Sequence, residues 1–214
     1  MAKKYNLNDI LEYKILLGSK SPRRLEILKQ MGFKIKQVAI NVDESFDKAI
    51  AYYDIPEYIS NKKLKAYDTS ILKDKEIFLT ADTMVFLNEK PLGKPKDEKQ
   101  AFQFLKMLSG NKHLVITGCS IATKHNSISF SQTTEVYFKN LSIEEIKHYV
   151  ENYKPLDKAG GYAIQQWIGM IGIEKINGCF YNVVGLPSEK LFFFLQKLIE
   201  KENSYLLKNT SKNE

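Results

Sequence analysis

The chain has 214 residues, 43% of them hydrophobic and 27% charged, a balance that suits one domain or one two-lobed domain and excludes a largely disordered chain. Basic side chains outnumber acidic ones by 32 to 25, a formal charge of +7; the surplus favours anionic partners (nucleotides, nucleic acid, an anionic membrane), although lysine-rich surfaces also serve solubility alone. Two cysteines without CxxC spacing, Cys119 and Cys179, argue against a zinc site or a disulfide framework and for a reducing compartment, and the lack of a signal-peptide core or a run of about 20 apolar residues argues against a membrane span.

In chain order, residues 14–18 (KILLG) form a short apolar run closed by glycine, a buried strand by pattern. Ser21-Pro22 then opens a helix with Leu25, Leu28 and Met31 on one side, ended by Gly32. Alternation over 33–40 predicts a second strand, followed by a polar segment carrying Asp43 and Glu44. Residues 56–67 read as a lysine-rich helix. The apolar run 76–81 (EIFLTA) predicts a strand ending at Asp82-Thr83, with 84–87 continuing it, a turn at 88–90 and a loop at 91–95. Residues 97–108 form an amphipathic helix with Ala101, Phe104, Leu105 and Leu108 on one face.

Strands follow at 113–117, 118–123 and 133–138, then a helix at 142–149 whose Ser142 and Glu145 make a capping box. Asn177-Gly178 is a turn signal and predicts a hairpin of 171–176 with 179–184. Pro187-Ser188 precedes a last helix to about residue 200, after which the chain reads as a frayed tail. The alternation of strands and helices predicts an α/β fold with a mixed sheet. The expected layout is an N-terminal extension over 1–13, one domain over 14–200 and a flexible tail over 201–214.

Several segments carry chemistry. In Gly18-Ser19-Lys20-Ser21-Pro22-Arg23-Arg24, a strand runs through a polar turn into a helix start. Two cations in a first turn oppose the helix dipole, and a bound anion would reverse that penalty, so Ser19, Ser21, Arg23 and Arg24 form a candidate phosphate cradle. Asp82, read at a strand end, suits a metal ligand or general base as well as a turn cap. Lys94, in the constrained Leu92-Gly93-Lys94-Pro95 turn, is a second candidate for phosphate; the spacing is not that of a Walker A loop. Of the adjacent pair Asp43-Glu44, only one carboxylate can face a given side of an extended chain; with Asp82 it could supply the one or two carboxylates that magnesium takes beside substrate phosphates. In Asp157-Lys158-Ala159-Gly160-Gly161-Tyr162-Ala163-Ile164-Gln165, the glycine pair lets backbone approach a ligand, and Gln165 offers the donor and acceptor that reading a base edge requires. His113, His125 and His148 are scattered and read as structural or solvated; Trp167 and Phe192-Phe193-Phe194 read as packing.

Taken together, SKSPRRLEIL, VDESF, KLKA, TADTMV, LGKPKD, LSGNKHLVITG, TEVYF, DKAGGYAIQ and INGCFYNVVGLP resemble the Maf family of nucleotide pyrophosphatases, in the family's order and over most of the chain. The resemblance implies a fold like that of inosine triphosphate pyrophosphatases: a long curved mixed sheet with flanking helices and a cleft between two lobes. It implies a cytoplasmic, house-cleaning enzyme that hydrolyses a nucleoside triphosphate between its α- and β-phosphates with a divalent metal, magnesium or manganese, and a homodimer. By position, Asp82 matches the proton acceptor, Glu44 with Asp82 the metal site, Lys65 and Lys94 the lysines of the cleft, and Arg23, Thr83 and Gln165 the positions that separate substrate subgroups. DKAGGYAIQ looks like the branch acting on dTTP and UTP. Ala163 stands where that branch usually has glycine, Gln166-Trp167 replaces a common glycine, and Gly18 replaces a frequent alanine. Two rivals stay open at this level: a purine-directed pyrophosphatase for inosine or 7-methyl-guanosine triphosphate, and a non-catalytic protein that binds nucleic acid or division machinery.

Overall fold

The KILLG strand forms as β1 (Lys14–Leu17), after a short helix α1 (Leu7–Leu11) whose Ile10 is buried in the core; the computed structural model describes residues 7–210. Helix α2 (Pro22–Gln30) starts as its sequence dictates, with Pro22 in the first turn and the Ser21 hydroxyl accepting from the Arg24 N–H. Strand β2 (Lys34–Gln37) and helix α3 (Ile55–Lys65) follow. The next strand, β3 (Glu76–Leu87), is 12 residues long and unbroken. Asp82 therefore lies inside a strand and not at its end. Residues Lys90–Leu92, expected as turn and loop, form β4, which pairs back on β3 through Asn88 and Glu89 in left-handed conformation.

Helix α4 (Glu98–Leu108) is capped by Asp97, and α5 (Ile143–Tyr153) by the expected Ser142–Glu145 box. Between them, the runs expected as separate strands merge into β5 (Lys112–Ala122), paired with β6 (Ser127–Phe138). The expected hairpin around Asn177-Gly178 does not form. Residues Trp167–Gly172 are helix α6, Ile173–Asn177 is β7 on β6, and Phe180–Val184 is helix α7. The turn is real, but its second arm coils because buried Asn182 is drawn onto the sheet, where its amide donates to Val115 O at 3.0 Å and Thr134 Oγ1 at 2.9 Å. Tertiary bonds thus override the strand preference of Val183 and Val184. The last helix, α8 (Ser188–Thr210), runs past the expected stop into the segment read as tail. Of the expected extension and tail, residues 1–6 and 211–214 lie outside the described residues.

Among the described residues seven strands make one mixed sheet in the order β2-β1-β3-β5-β6-β7, with β4 also on β3. β1 is parallel to β2 and β3, and the pairs from β3 through β7 are antiparallel. Alternation along β3 sends Ile77, Leu79, Ala81 and Val85 to one face and Phe78, Phe86 and the Asp82 side chain to the other. One core joins Ile15, Leu17, Ile77 and Leu79 to Leu28 of α2 and Leu191 and Leu195 of α8. A second joins Val85, Val115 and Val136 to Leu105 of α4 and Tyr149 of α5. These are the cores of the two lobes. Helix α3 covers the opposite face, with Ile55 and Ile59 against Phe86 and Ile116. Among the described residues no helix is long and apolar enough to cross a membrane.

Candidate active site

The sheet splits at one point, and the cleft opens there. Along one edge of β3, β1 pairs with Glu76 to Leu79 and β4 with Val85 to Leu87. Between these two partners, residues 80–84 have no strand beside them on that edge. The gap lies off the carboxyl end of β1, the position where open α/β sheets bind ligands. A cleft of about 690 Å³ occupies it, lined by the 18–24 turn, Glu44, Lys63, Asp82, Thr83, Lys94 and the 157–165 loop.

Asp82 and Glu44 meet on one ammonium. Lys63 Nζ lies 2.8 Å from Asp82 Oδ1 and 2.8 Å from Glu44 Oε1. The Lys63 and Asp82 side chains are only 13% and 14% exposed, while Glu44, on an irregular segment, is 60% exposed. Its neighbour Asp43 turns away, bonded to Ser45 and 3.5 Å from Lys62 Nζ, as adjacent side chains on an extended chain should. Lys65, the lysine expected in the cleft, is exposed and does not line it. Two positions along a helix turn the side chain by about 200°, so when Lys63 faces the cleft Lys65 faces solvent. Lys63 replaces Lys65 in the reading of the site.

The two arginines of the 18–24 turn have different jobs. Arg24 reaches under the cleft and donates to Gly185 O at 2.9 Å, Ala81 O at 2.9 Å, Ser19 Oγ at 3.0 Å and Thr83 Oγ1 at 3.0 Å. It thereby fills a free edge carbonyl of β3 at the split. Burial lowers its pKa, with the charge of Asp82 opposing; it remains a cation at neutral pH. Arg24 is thus largely committed to protein acceptors, and its expected part as a phosphate ligand becomes one of holding the cradle together. Thr83 belongs to the same network, 3.0 Å from Thr117 Oγ1. Arg23 is the freer of the pair: Nε donates to Val184 O at 3.2 Å, and Nη1 lies 3.4 Å from Asp157 Oδ2. Asp157 also holds Lys158 Nζ at 2.5 Å. Lys158, nearly buried and on the cleft wall, was not picked out by sequence reasoning. Ser19, Ser21 and the exposed Lys94 all line the cleft.

The far wall is the 157–165 loop. Gly160 and Gly161 are buried, with φ of 71° and 72°, and do not line the cleft. They turn the chain in a left-handed conformation and do not bring backbone to a ligand, as their spacing had suggested. What faces the cleft is Ala159, Tyr162, Ala163 and, exposed at the tip, Gln165.

The donor set fits a hard divalent cation in part. Asp82 and Glu44 offer two carboxylates within reach of one point, as magnesium and manganese sites beside phosphates use. Among the described residues no group of three or more His, Cys, Asp or Glu gathers as a metal site, so phosphate and water would have to complete the shell. Neither cysteine lines the cleft, and Cys119 is buried, with burial pushing its thiol up to about 12.

The family described as Maf-like protein matches residues 14–198. A dTTP/UTP pyrophosphatase of Bacteroides thetaiotaomicron is 45% identical over 193 residues, 90% of this chain and 100% of the relative. One from Parabacteroides distasonis is 44% identical over 188 residues, 87% of this chain and 96% of the relative. One from Flavobacterium psychrophilum is 43% identical over 182 residues, 85% of this chain and 93% of the relative. With a split mixed sheet, a carboxylate pair and a basic cradle at the split, and matches of this extent, the chain belongs to the Maf-like protein family.

Proposed function

We propose that this chain is a nucleoside triphosphate pyrophosphatase that hydrolyses dTTP and UTP to the monophosphate and pyrophosphate. The observation that carries the reading is the meeting of Asp82 and Glu44 on Lys63, at the sheet split beside Arg23, Lys94 and Lys158. It is a site with carboxylates for one end of the chemistry and cations for a polyanion. Arg23, Lys94 and Lys158 hold the triphosphate, with the Ser19 and Ser21 hydroxyls at the start of α2. Asp82 accepts a proton from the attacking water, which opens the α–β anhydride, and pyrophosphate leaves against the cations. Lys63 orients both carboxylates and counters their mutual repulsion. Glu44 and Asp82 would hold magnesium or manganese, which when bound draws negative charge from the phosphates. Gln165 faces the base and, with Thr83 and Arg23, sets which base is taken. The role is one of clearing surplus or modified pyrimidine nucleotides before they are incorporated, in the cytoplasm, where such nucleotides are held and where the two free cysteines suit reducing conditions.

The test is product analysis over a panel of nucleoside triphosphates, with magnesium or manganese and after chelation. Pyrophosphate from dTTP and UTP, lost on chelation, supports the reading. Orthophosphate as the first product, or turnover confined to purine nucleotides, overturns it.

A further inference from the structure

The loop that faces the base hangs from a buried tyrosine on another element. Tyr149, on α5, is fully buried. Its hydroxyl accepts from the Ala163 N–H at 3.1 Å and donates to Gln166 Oε1 at 2.5 Å. The two ends of the segment 163–166 are therefore tied to one oxygen atom, and the Gln166 N–H closes the turn on Ala163 O at 3.0 Å. Neighbouring bonds hold the rest. Tyr162 OH sits 2.7 Å from His113 Nε2, and burial lowers the His113 pKa to about 3, so that contact carries no charge at neutral pH. Backbone packs so closely on the other side that a Cβ at Gly169 would come within 1.8 Å of Ile164 O. Tyr162, Ala163 and Ile164 are buried, whereas Gln165 alone is exposed at the tip. A side chain so placed points where its backbone points, and that backbone is set by the Tyr149 hydroxyl.

We propose that Tyr149, with Gln166 as its partner, is a positioning residue that aims Gln165 and so determines how tightly the pyrimidine base is held; this rests on the reading that Gln165 faces the base. Burial raises the Tyr149 pKa, so the hydroxyl stays a neutral donor and acceptor across the range of an assay. Phenylalanine at 149 keeps the ring packing, including the stack on Tyr153 with centroids 5.0 Å apart, and removes only the oxygen. Ser19, Ser21, Arg23 and Lys94 lie on other elements, and Lys158, at the start of the loop, is held by Asp157 and not by Tyr149, so phosphate binding is a readout that separates aim from general loosening.

The experiment is steady-state kinetics on dTTP and UTP for the full chain, Tyr149→Phe, Gln166→Leu and the double variant, with inhibition by inorganic tripolyphosphate as a probe of the cradle alone. Gln166→Leu, which removes one hydrogen bond, should raise KM by about 3- to 10-fold, and Tyr149→Phe, which removes two, by at least as much, with kcat within about 3-fold for both. The tripolyphosphate inhibition constant should stay within about 2-fold. The double variant should match Tyr149→Phe, because without the hydroxyl the Gln166 side chain has lost its bond to the tyrosine already. An unchanged KM in folded variants, or an inhibition constant that rises in step with KM, overturns the proposal. Should Tyr149→Phe not fold, Gln166→Leu, at a half-buried position, carries the same test. A parent protein that releases no pyrophosphate from dTTP or UTP overturns the functional reading and this inference with it, whereas an active parent with unaltered variants overturns this inference alone.

Discussion

Lys63 sits where two carboxylates would otherwise repel each other across a partly closed cleft. Its ammonium is nearly buried and equidistant from both, fixed beside the carboxylate proposed as the base. A preorganised charge of this kind beside the reacting groups is worth about 100-fold or more in rate. Lys63→Ala should therefore lower kcat/KM on dTTP by at least about 100-fold, while Lys65→Ala, on the solvent side of the same helix, should stay within about 3-fold; pyrophosphate release by the two purified variants checks this. The motif KLKA contains both lysines and does not say which one turns inward. The phase was nonetheless present in the sequence, since Ile59, buried against Phe86, lies four residues before Lys63 and on the same side of α3. For the adjacent arginines no such signal exists. Arg23 and Arg24 are told apart by Val184 and Gly185, 161 residues away along the chain, and that contact follows from the fold alone.

Among the elements, α8 departs most from its reading. Polar composition after residue 200 suggested a frayed end, yet helix continues to Thr210. The reason is Glu202, which is 7% exposed. Its carboxylate accepts from Thr123 Oγ1 at 2.6 Å, Asn126 Nδ2 at 2.7 Å and His125 Nδ1 at 2.7 Å, and Tyr205 stacks on His125. The helix is clamped to the turn between β5 and β6, a polar contact that hydrophobic periodicity cannot report. Burial raises the Glu202 pKa, but the bonds from Thr123, Asn126 and His125 outweigh it, and the carboxyl titrates below its ordinary range. The stability it contributes is therefore complete above the unfolded glutamate value of about 4.3, and is lost as pH falls through the lower folded value. Glu202→Ala should cost about 2 kcal/mol at pH 7 by leaving buried donors unpaired, and the gap to the parent should narrow below about pH 4. Thermal melts of both proteins across pH provide the measurement; equal melting temperatures at pH 7 would contradict the clamp. The α7 misreading has the same origin, because Asn182 bonds to two sheet atoms far away in sequence.

On the scale of the whole molecule, one break in strand pairing organises everything else. The fold class was legible because buried strands and amphipathic helices alternate, each with its own cap or turn residue. Most of the candidate site was legible as well, because the segments that line the split carry compact motifs: the serine–arginine turn, Asp82 within β3, Lys94, the 157–165 loop. Hidden from the sequence was how these segments share their work. Lys158 became visible only through its carboxylate partner, and the glycine pair proved to shape the loop from behind. In the function proposed, this one cleft cuts the α–β anhydride of dTTP and UTP with Asp82 as its base. The most direct measurement is pyrophosphate release from both nucleotides by the parent protein and by Asp82→Asn, with melting temperature as the check on folding. The parent should release pyrophosphate, and a variant that melts as a folded protein should lose at least about 100-fold. Near-parental release from folded Asp82→Asn would contradict it.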